Sequence, residues 1–261
     1  MTPFNVTRLA YGDEPLQFGE LYMPTGAGPY PIVILIHGGF WRAAYGLSLM
    51  TELAEDLAQR GIAAWNIEYR RVGDPGGGWP GTLLDVARAT DHLSTLQETY
   101  SLDLKRVVPV GHSAGGHLAL WPGARHKPTR PDLLSDSATP LPITGAVSLA
   151  GALDLELVWQ LHLGNDAAAE LLGGDPTTVP ERYIAASPAA HLPLGIPQVL
   201  IHGTADDRVP LLVSQHYAAK ARAAGDPITL IELPGADHFV LIDPASAAWS
   251  TTMNEIEGLI A

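Results

Sequence analysis

The chain of 261 residues contains no cysteine. Disulfide bonds, thiolate nucleophiles and cysteine-ligated metals are therefore excluded. Basic residues are also scarce: 15 lysines and arginines stand against 28 aspartates and glutamates, which gives a net charge of −13. A surface of this sign repels polyanions, so neither nucleic acid nor an anionic membrane is expected as a partner.

Long apolar runs are missing as well. The longest are far too short to span a bilayer, and residues 1–8 lack the basic-then-apolar pattern of a secretory signal. These absences predict a soluble, cytoplasmic protein. The hydrophobic fraction of 46% is still enough for a large core, and the length fits a single α/β domain over residues 1–261.

Apolar strand patterns alternate with amphipathic helical patterns along the chain. Residues 31–36 form a continuous apolar run, typical of a strand buried on both faces of a parallel sheet. Residues 7–11 and 16–23 predict an antiparallel hairpin. The alternation predicts an α/β fold with a mostly parallel sheet and helices on both faces. Residues 151–196, rich in alanine and broken by proline and glycine, predict a small cap.

The remaining elements follow from the same patterns. Thr82 is a plausible N-cap for one helix, and a polar, proline-punctuated loop is expected from 124 to 142. Pro109 cannot donate to a central ladder, so the strand that contains it is expected to stop pairing there. Further strands are predicted at 62–69, 106–110, 143–149, 198–201 and 228–233, and helices at 47–60, 83–93, 211–224 and 245–260.

One stretch has the pattern of a nucleophile elbow. Residues 111–115 read Gly-His-Ser-Ala-Gly, directly after a strand pattern and before a helical one. The flanking glycines permit a sharp turn that would expose the Ser113 hydroxyl at the sheet edge. A serine hydroxyl is a weak nucleophile, so it needs a base that is itself oriented by a carboxylate.

Residues that could supply this base and carboxylate follow the last two predicted strands. Asp206 and Asp207 come after residues 198–201, and His238 comes after residues 228–233. Functional groups of a parallel sheet collect at the carboxyl ends of its strands, so these side chains are expected near Ser113. Neighbouring residues point to different sides, and therefore only one of the two aspartates should face the histidine.

Four motifs together resemble the α/β-hydrolase superfamily over essentially the whole chain, and within it the small-capped esterase and kynurenine-formamidase-like branch. The motifs are His-Gly-Gly-Phe-Trp at 37–41, the serine motif at 111–115, His-Gly-x-x-Asp-x-x-Val-Pro at 202–210 and Asp-His-Phe at 237–239. The resemblance implies a serine hydrolase with Ser113 as nucleophile, His238 as general base and Asp206 as the acid that orients it.

The resemblance also implies an oxyanion hole of backbone N–H groups. Ala114, the residue after the nucleophile, should supply one, and Gly39 the other, with Phe40 as a second donor from the same loop. Aromatic side chains on loops and on the predicted cap are candidates for substrate binding, and a short cap favours small substrates. These candidates are Trp41, Trp79, Trp159 and Phe239.

Several other residues are expected to be structural. Asp154 fits a turn or a helix cap better than a rival catalytic acid. A formal Gly-x-Gly-x-x-Gly at 76–81 is interrupted by Pro80 and precedes no clean dinucleotide-binding unit, so it is read as a loop. No tight metal-ligand spacing occurs, and no metal is expected. Structural hydrogen bonds are expected of His37, His112 and His202.

The sequence therefore predicts a cofactor-free serine hydrolase that acts on a small-molecule acyl ester or amide. Ester hydrolysis is the leading hypothesis, and hydrolysis of an aryl formamide is the nearest alternative. Two further alternatives are a non-catalytic, ligand-binding member of the fold and a dipeptidyl-type peptidase. The oligomeric state is left open.

Overall fold

The computed structural model describes residues 4–125 and 139–261. Within them, eight strands form one sheet in the order β1-β2-β4-β3-β5-β6-β7-β8. The first two pairings, β1 with β2 and β2 with β4, are antiparallel, and every other pairing is parallel. The strands are β1 (Phe4–Ala10), β2 (Phe18–Pro24), β3 (Tyr30–Ile36), β4 (Ala63–Ile67), β5 (Leu102–His112), β6 (Ala146–Leu149), β7 (Gln198–Gly203) and β8 (Ile228–Leu233).

Helices follow most of the strands, as the alternating pattern predicts. The α-helices in the described part of the chain are α1 (Thr51–Gln59), α2 (Gly81–Asp91), α3 (Leu93–Leu96), α4 (Ala114–Leu120), α5 (Leu155–Gln160), α6 (Ala167–Leu172), α7 (Pro180–Ala186), α8 (Leu211–Ala224) and α9 (Ala247–Leu259). Most of the loop expected between 124 and 142 lies outside the described residues.

The central strand β3 contributes side chains to both apolar layers of the core, one on each face of the sheet. Ile34 and its alternate neighbours pack on the side of α2 and α4, whereas Val33 and Leu35 pack against α1 and α9. Successive side chains of a strand point to opposite faces, so a continuous apolar run fills both layers. The expected α/β fold, with a mostly parallel sheet between two helical layers, is confirmed.

Residues 151–196, here called the cap segment, connect β6 to β7 and carry α5, α6 and α7. Several of its alanines and leucines, among them Ala167, Ala168, Leu171 and Leu172, are buried in the same cluster as α2 and α4. The segment therefore does more than cover the end of the sheet, because it completes the apolar layer on that face. Among the described residues, no helix combines the length and hydropathy needed to cross a membrane.

The expectation that β5 stops pairing at Pro109 is wrong. The parallel ladder with β3 runs through it, pairing Ile34 with Pro109 and Ile36 with Gly111. The carbonyl of Val107 accepts a hydrogen bond from Thr144 on the β6 side at 2.9 Å. Along a strand, the backbone groups of every second residue point toward the same neighbouring strand, so the Pro109 nitrogen also faces β6. Pairing between β5 and β6 begins only at Val110. The missing N–H is thus not needed.

Thr82 is not the N-cap of its helix, which was the sequence expectation. α2 begins at Gly81, and Pro80 occupies the capping position. The Thr82 hydroxyl instead donates to the Arg70 carbonyl at 2.5 Å and accepts from the Gly78 amide at 3.1 Å. Thr82 therefore links Gly78, in the glycine-rich loop, to Arg70, which follows β4.

Candidate active site

Ser113 lies at the sharp turn between β5 and α4. Its backbone φ and ψ are 57° and −121°, a conformation that costs about 1–3 kcal/mol in a residue with a side chain. Two close backbone contacts enforce the turn: a Cβ on Gly111 would lie 2.0 Å from the Gly115 oxygen, and one on Gly115 would lie 2.0 Å from the Ile36 oxygen. The turn therefore needs glycine at both positions.

His238 and Asp206 form the hydrogen bond that the sequence motifs predict. Nδ1 of His238 lies 2.6 Å from Oδ2 of Asp206. The other carboxylate oxygen accepts from the amides of Arg208 and Val209, each at 2.8 Å. The adjacent Asp207 is exposed and lies 3.3 Å from the Arg208 side chain, so only the first aspartate faces the histidine.

The environment of Asp206 keeps its carboxylate charged. Burial alone raises the pKa of this group, but hydrogen bonds with His202 and His238 and from the Val209 amide outweigh burial and hold the pKa well below its ordinary value. Asp206 is therefore an acceptor at neutral pH, and the proton of the shared hydrogen bond belongs to Nδ1 of His238. The remaining ring nitrogen, Nε2, is then free to accept a proton.

Ser113 and His238 open onto one small cavity of about 160 Å³. Both residues are more than 95% buried, so this cavity is the route by which a molecule reaches them. Its volume is small beside the pockets that hold drug-sized ligands. The lining residues are Gly39, Phe40, Tyr45, Leu49, His112, Ser113, Arg208, His238 and Phe239.

The loop after β3 brings unpaired backbone donors to this cavity. Gly39 and Phe40 have φ values of 116° and 50°, and within residues 4–125 and 139–261 neither amide donates a hydrogen bond. Ala114 is the first residue of α4, where a backbone N–H has no partner inside the helix. The three amides assigned from the sequence are thus available, two of them on residues that line the cavity.

Only one of the four aromatic residues proposed for substrate binding lines the cavity. Phe239 does so and is 49% exposed. Trp41 is completely buried in the core, and Trp79 and Trp159 are half-buried and pack against the same core. A position on a loop suggested a binding role, but it does not determine where a tryptophan side chain points. A large aromatic ring also stabilises the fold when it is buried.

Three lining residues escaped the sequence argument: Tyr45, Leu49 and Arg208. Arg208 lies inside the 202–210 motif, so its position next to Asp206 was a usable signal. Tyr45 and Leu49 carry no motif. Their place on the cavity wall depends on how the chain after β3 folds back, and a local pattern does not show that.

The structural roles expected of the other polar residues agree with their contacts. His37 forms a hydrogen bond with Glu68 at 2.9 Å. His112 forms one with the carbonyl of His238 at 2.9 Å. His202 forms one with the hydroxyl of Ser214 at 2.8 Å. Asp154 caps α5 and pairs with Lys220 at 2.8 Å. In the described part of the chain, no group of three His, Asp or Glu side chains is arranged to hold a metal ion.

A strand–serine–helix turn in a parallel sheet, with an aspartate and then a histidine after two later strands, defines the α/β-hydrolase fold. The chain belongs to the BD-FAE family, whose family model matches residues 20–221. The superfamily that the motifs indicated is thereby confirmed, and it is represented here by relatives named as esterases.

Two curated relatives illustrate the similarity. The chain is 27% identical over 256 residues to Esterase LipC of Mycobacterium tuberculosis, an alignment that covers 91% of this chain and 60% of that protein. It is 30% identical over 247 residues to a probable isoprenylcysteine α-carbonyl methylesterase of Oryza sativa subsp. japonica, covering 87% of this chain and 56% of the relative. The chain thus spans well under two thirds of the length of each.

Solved structures show the same fold. A truncated carbohydrate esterase from gut microbiota superposes with a TM-score of 0.80 at 21% identity, covering 99% of this chain and 97% of the other. Esterase B from Lactobacillus Rhamnosis superposes with a TM-score of 0.82 at 22% identity, covering 98% and 85%. At these identities the likeness establishes the fold.

The buried, neutral His112 leads to a testable prediction about how the stability of the protein depends on pH. Burial, and after it the neighbouring His238, lowers the pKa of His112 to about 3. Its Nδ1 is buried without a hydrogen-bond partner among the described residues, so a proton there would have no acceptor. The unfolded chain binds this proton near pH 6.5. Stability from this group is therefore complete above pH 6.5 and falls by about 1.4 kcal/mol per pH unit below it.

We predict that His112→Gln, whose amide still reaches the His238 carbonyl, removes this loss. Between pH 6.5 and 4.5 the wild-type free energy of unfolding should fall by about 2 kcal/mol more than that of the variant. Urea unfolding of both chains at the two pH values measures the difference, and titrating groups that do not interact with His112 cancel. Equal losses in the two chains would contradict the buried neutral state.

Proposed function

We propose that this protein hydrolyses small carboxylic esters through an acyl-enzyme on Ser113. The observation that carries the proposal is the 2.6 Å hydrogen bond between His238 and Asp206 at the cavity onto which Ser113 opens. Membership of the BD-FAE family and the esterase names of its relatives support ester chemistry in particular.

The first half of the reaction follows from the protonation states. Nδ1 of His238 carries a proton because ionised Asp206 can only accept, so Nε2 receives the proton of Ser113 as Oγ attacks the acyl carbon. Asp206 then stabilises the imidazolium. When the bond to the alcohol oxygen breaks, the imidazolium returns its proton to that oxygen, and the alcohol leaves.

The second half repeats these steps with water. Nε2 of His238 takes a proton from water as the hydroxide attacks the acyl-enzyme, and the Ser113 oxygen recovers its proton when the acid leaves. Negative charge develops on the acyl oxygen in both halves. The amides of Gly39, Phe40 and Ala114 are the donors proposed for it, and one such donor is worth about 2.7–4 kcal/mol in the transition state.

The cavity supports a short acyl group. Its volume of about 160 Å³ and its apolar side chains, among them Phe40, Leu49 and Phe239, fit a small uncharged acyl chain better than a long one. An aryl formamide could pass through the same steps, but no feature of the cavity selects nitrogen over oxygen as the leaving atom. Ester hydrolysis is therefore the function proposed here.

The test of this function is loss of turnover and of covalent labelling at one serine. Ser113→Ala should lower kcat for an activated acetyl ester by about 10⁴-fold or more, because the nucleophile is removed. A fluorophosphonate should label the wild-type chain on the peptide that contains Ser113 and should not label the variant. Ser250→Ala, an exposed serine on α9, serves as the control and should keep both properties. Undiminished turnover in Ser113→Ala would refute the proposal.

The adjacent aspartates give a matched test of the orienting acid. Asp206→Asn should lower kcat by about 10³–10⁴-fold with little change in KM, because a neutral amide neither fixes the imidazole tautomer nor stabilises the imidazolium. Asp207→Asn makes the same chemical change one residue away on an exposed side chain, and its kcat should stay within about twofold of wild type. Steady-state kinetics decide, and a larger loss in the Asp207 variant would reverse the assignment.

A further inference from the structure

A buried pair of side chains connects the loop after β3 to the cap segment. Nε1 of Trp41 donates to Nδ1 of His117 at 3.2 Å, and Nε2 of His117 donates to the Ala186 carbonyl at 2.8 Å. The two rings meet edge to face, with centroids 5.4 Å apart. Both side chains are completely buried. Two hydrogen bonds thus run from the residue after Phe40, through α4, to the end of α7.

The chemistry of the indole fixes the direction of both hydrogen bonds. An indole N–H can only donate, so Nδ1 of His117 must be an unprotonated acceptor, and the ring proton resides on Nε2, where it meets the Ala186 carbonyl. Burial lowers the pKa of His117 to about 4, which keeps this neutral form at physiological pH. A doubly protonated ring would set one N–H against another.

The backbone beside this pair is strained. Phe40 and Trp41 have consecutive positive φ values of 50° and 57°. Residues with side chains keep such conformations only where their surroundings hold them. On the main chain, the Trp41 carbonyl accepts from the Val72 amide at 2.8 Å. On the side chain, the hydrogen bond to His117 fixes the indole. With Trp41 held at both points, the Phe40–Trp41 peptide plane is held as well, and the Phe40 N–H lies only one peptide plane further back, between Gly39 and Phe40.

We propose that Trp41 and His117 are positioning residues for the oxyanion hole. Neither side chain lines the cavity, and His117 meets Ser113 only through its main chain, whose amide donates to the Ser113 carbonyl at 3.4 Å. Both side chains act by holding the Gly39–Phe40 backbone so that its N–H groups face the acyl oxygen. The inference rests on the proposed function, since the orientation of these amides matters only if they bind a developing oxyanion. A tryptophan that merely fills the core would affect stability without this selective effect on rate.

The chain offers a closely matched control in Trp121. This tryptophan follows α4, is also completely buried, and its indole donates to the Ala185 carbonyl at 3.1 Å, one residue before the carbonyl that His117 contacts. Trp→Phe at either position removes one indole donor from the same buried region. Only Trp41 belongs to the loop after β3, so the two variants separate positioning from packing.

The expected result is a change confined to the rate of the chemical step. Trp41→Phe should lower kcat for an acetyl ester by about tenfold or more with KM within about twofold, because misplaced donors weaken only the transition state. Trp121→Phe should keep kcat within about threefold of wild type at a comparable loss of thermal stability. Equal losses of kcat in two variants of equal stability would overturn the inference.

A second pair of variants tests His117 as the hydrogen-bond acceptor. These variants also keep the inference testable if Trp41→Phe does not fold. His117→Asn keeps a side-chain oxygen within reach of the indole N–H, whereas His117→Leu keeps volume and no acceptor. The asparagine variant should retain at least about fivefold more kcat than the leucine variant at similar KM. Equal kcat in both would overturn the role of His117.

The proposed function and the positioning role of Trp41 can be overturned separately. If Ser113→Ala remains active, the proposed function falls and this inference falls with it. If Ser113→Ala is inactive while Trp41→Phe matches Trp121→Phe, the esterase mechanism stands and the positioning role is overturned.

Discussion

The close contact between the end of β3 and the start of α4 is the constraint on which the site depends. A Cβ on Gly115 would lie 2.0 Å from the Ile36 oxygen, so the turn that carries Ser113 packs directly against the strand that leads into the loop at Gly39. This backbone contact holds the candidate nucleophile close to the start of the loop that carries the candidate oxyanion donors. The positive φ at Ser113 is tolerated because this packing holds the turn, and those at Phe40 and Trp41 occur where Trp41 is held by its own hydrogen bonds.

The electrostatics of the candidate site are arranged around the negative charge of Asp206. Asp206 stays ionised since two backbone amides and two histidines surround it. The buried His112 and His117 stay neutral, as their lowered pKa values show. A neutral His112 places no competing positive charge beside His238, whose ring centroid lies 4.4 Å away. In the proposed mechanism, the positive charge that forms on His238 is therefore balanced by the adjacent Asp206.

The fold and the triad candidates could be anticipated from the sequence because each rests on a local pattern. Alternating strand and helix periods indicate the sheet, and Ser113, Asp206 and His238 each follow a strand in a recognisable motif. The side-chain directions could not be anticipated. Trp41 turns into the core because His117, 76 residues later, accepts its indole N–H, and Pro109 is tolerated because β6 begins pairing just beyond it. Both facts depend on partners distant in sequence.

The central claim is that Ser113 carries the acyl group between the two halves of the reaction. Its most direct test is mass spectrometry of the wild-type chain quenched early in turnover of an activated short-chain ester whose acyl-enzyme is hydrolysed slowly, with Ser113→Ala as the control. The expected result is a mass increase equal to the acyl group, located by proteolysis to the peptide containing Ser113 and missing from Ser113→Ala. Turnover with no acyl adduct on that peptide, or an adduct on another residue, would contradict it.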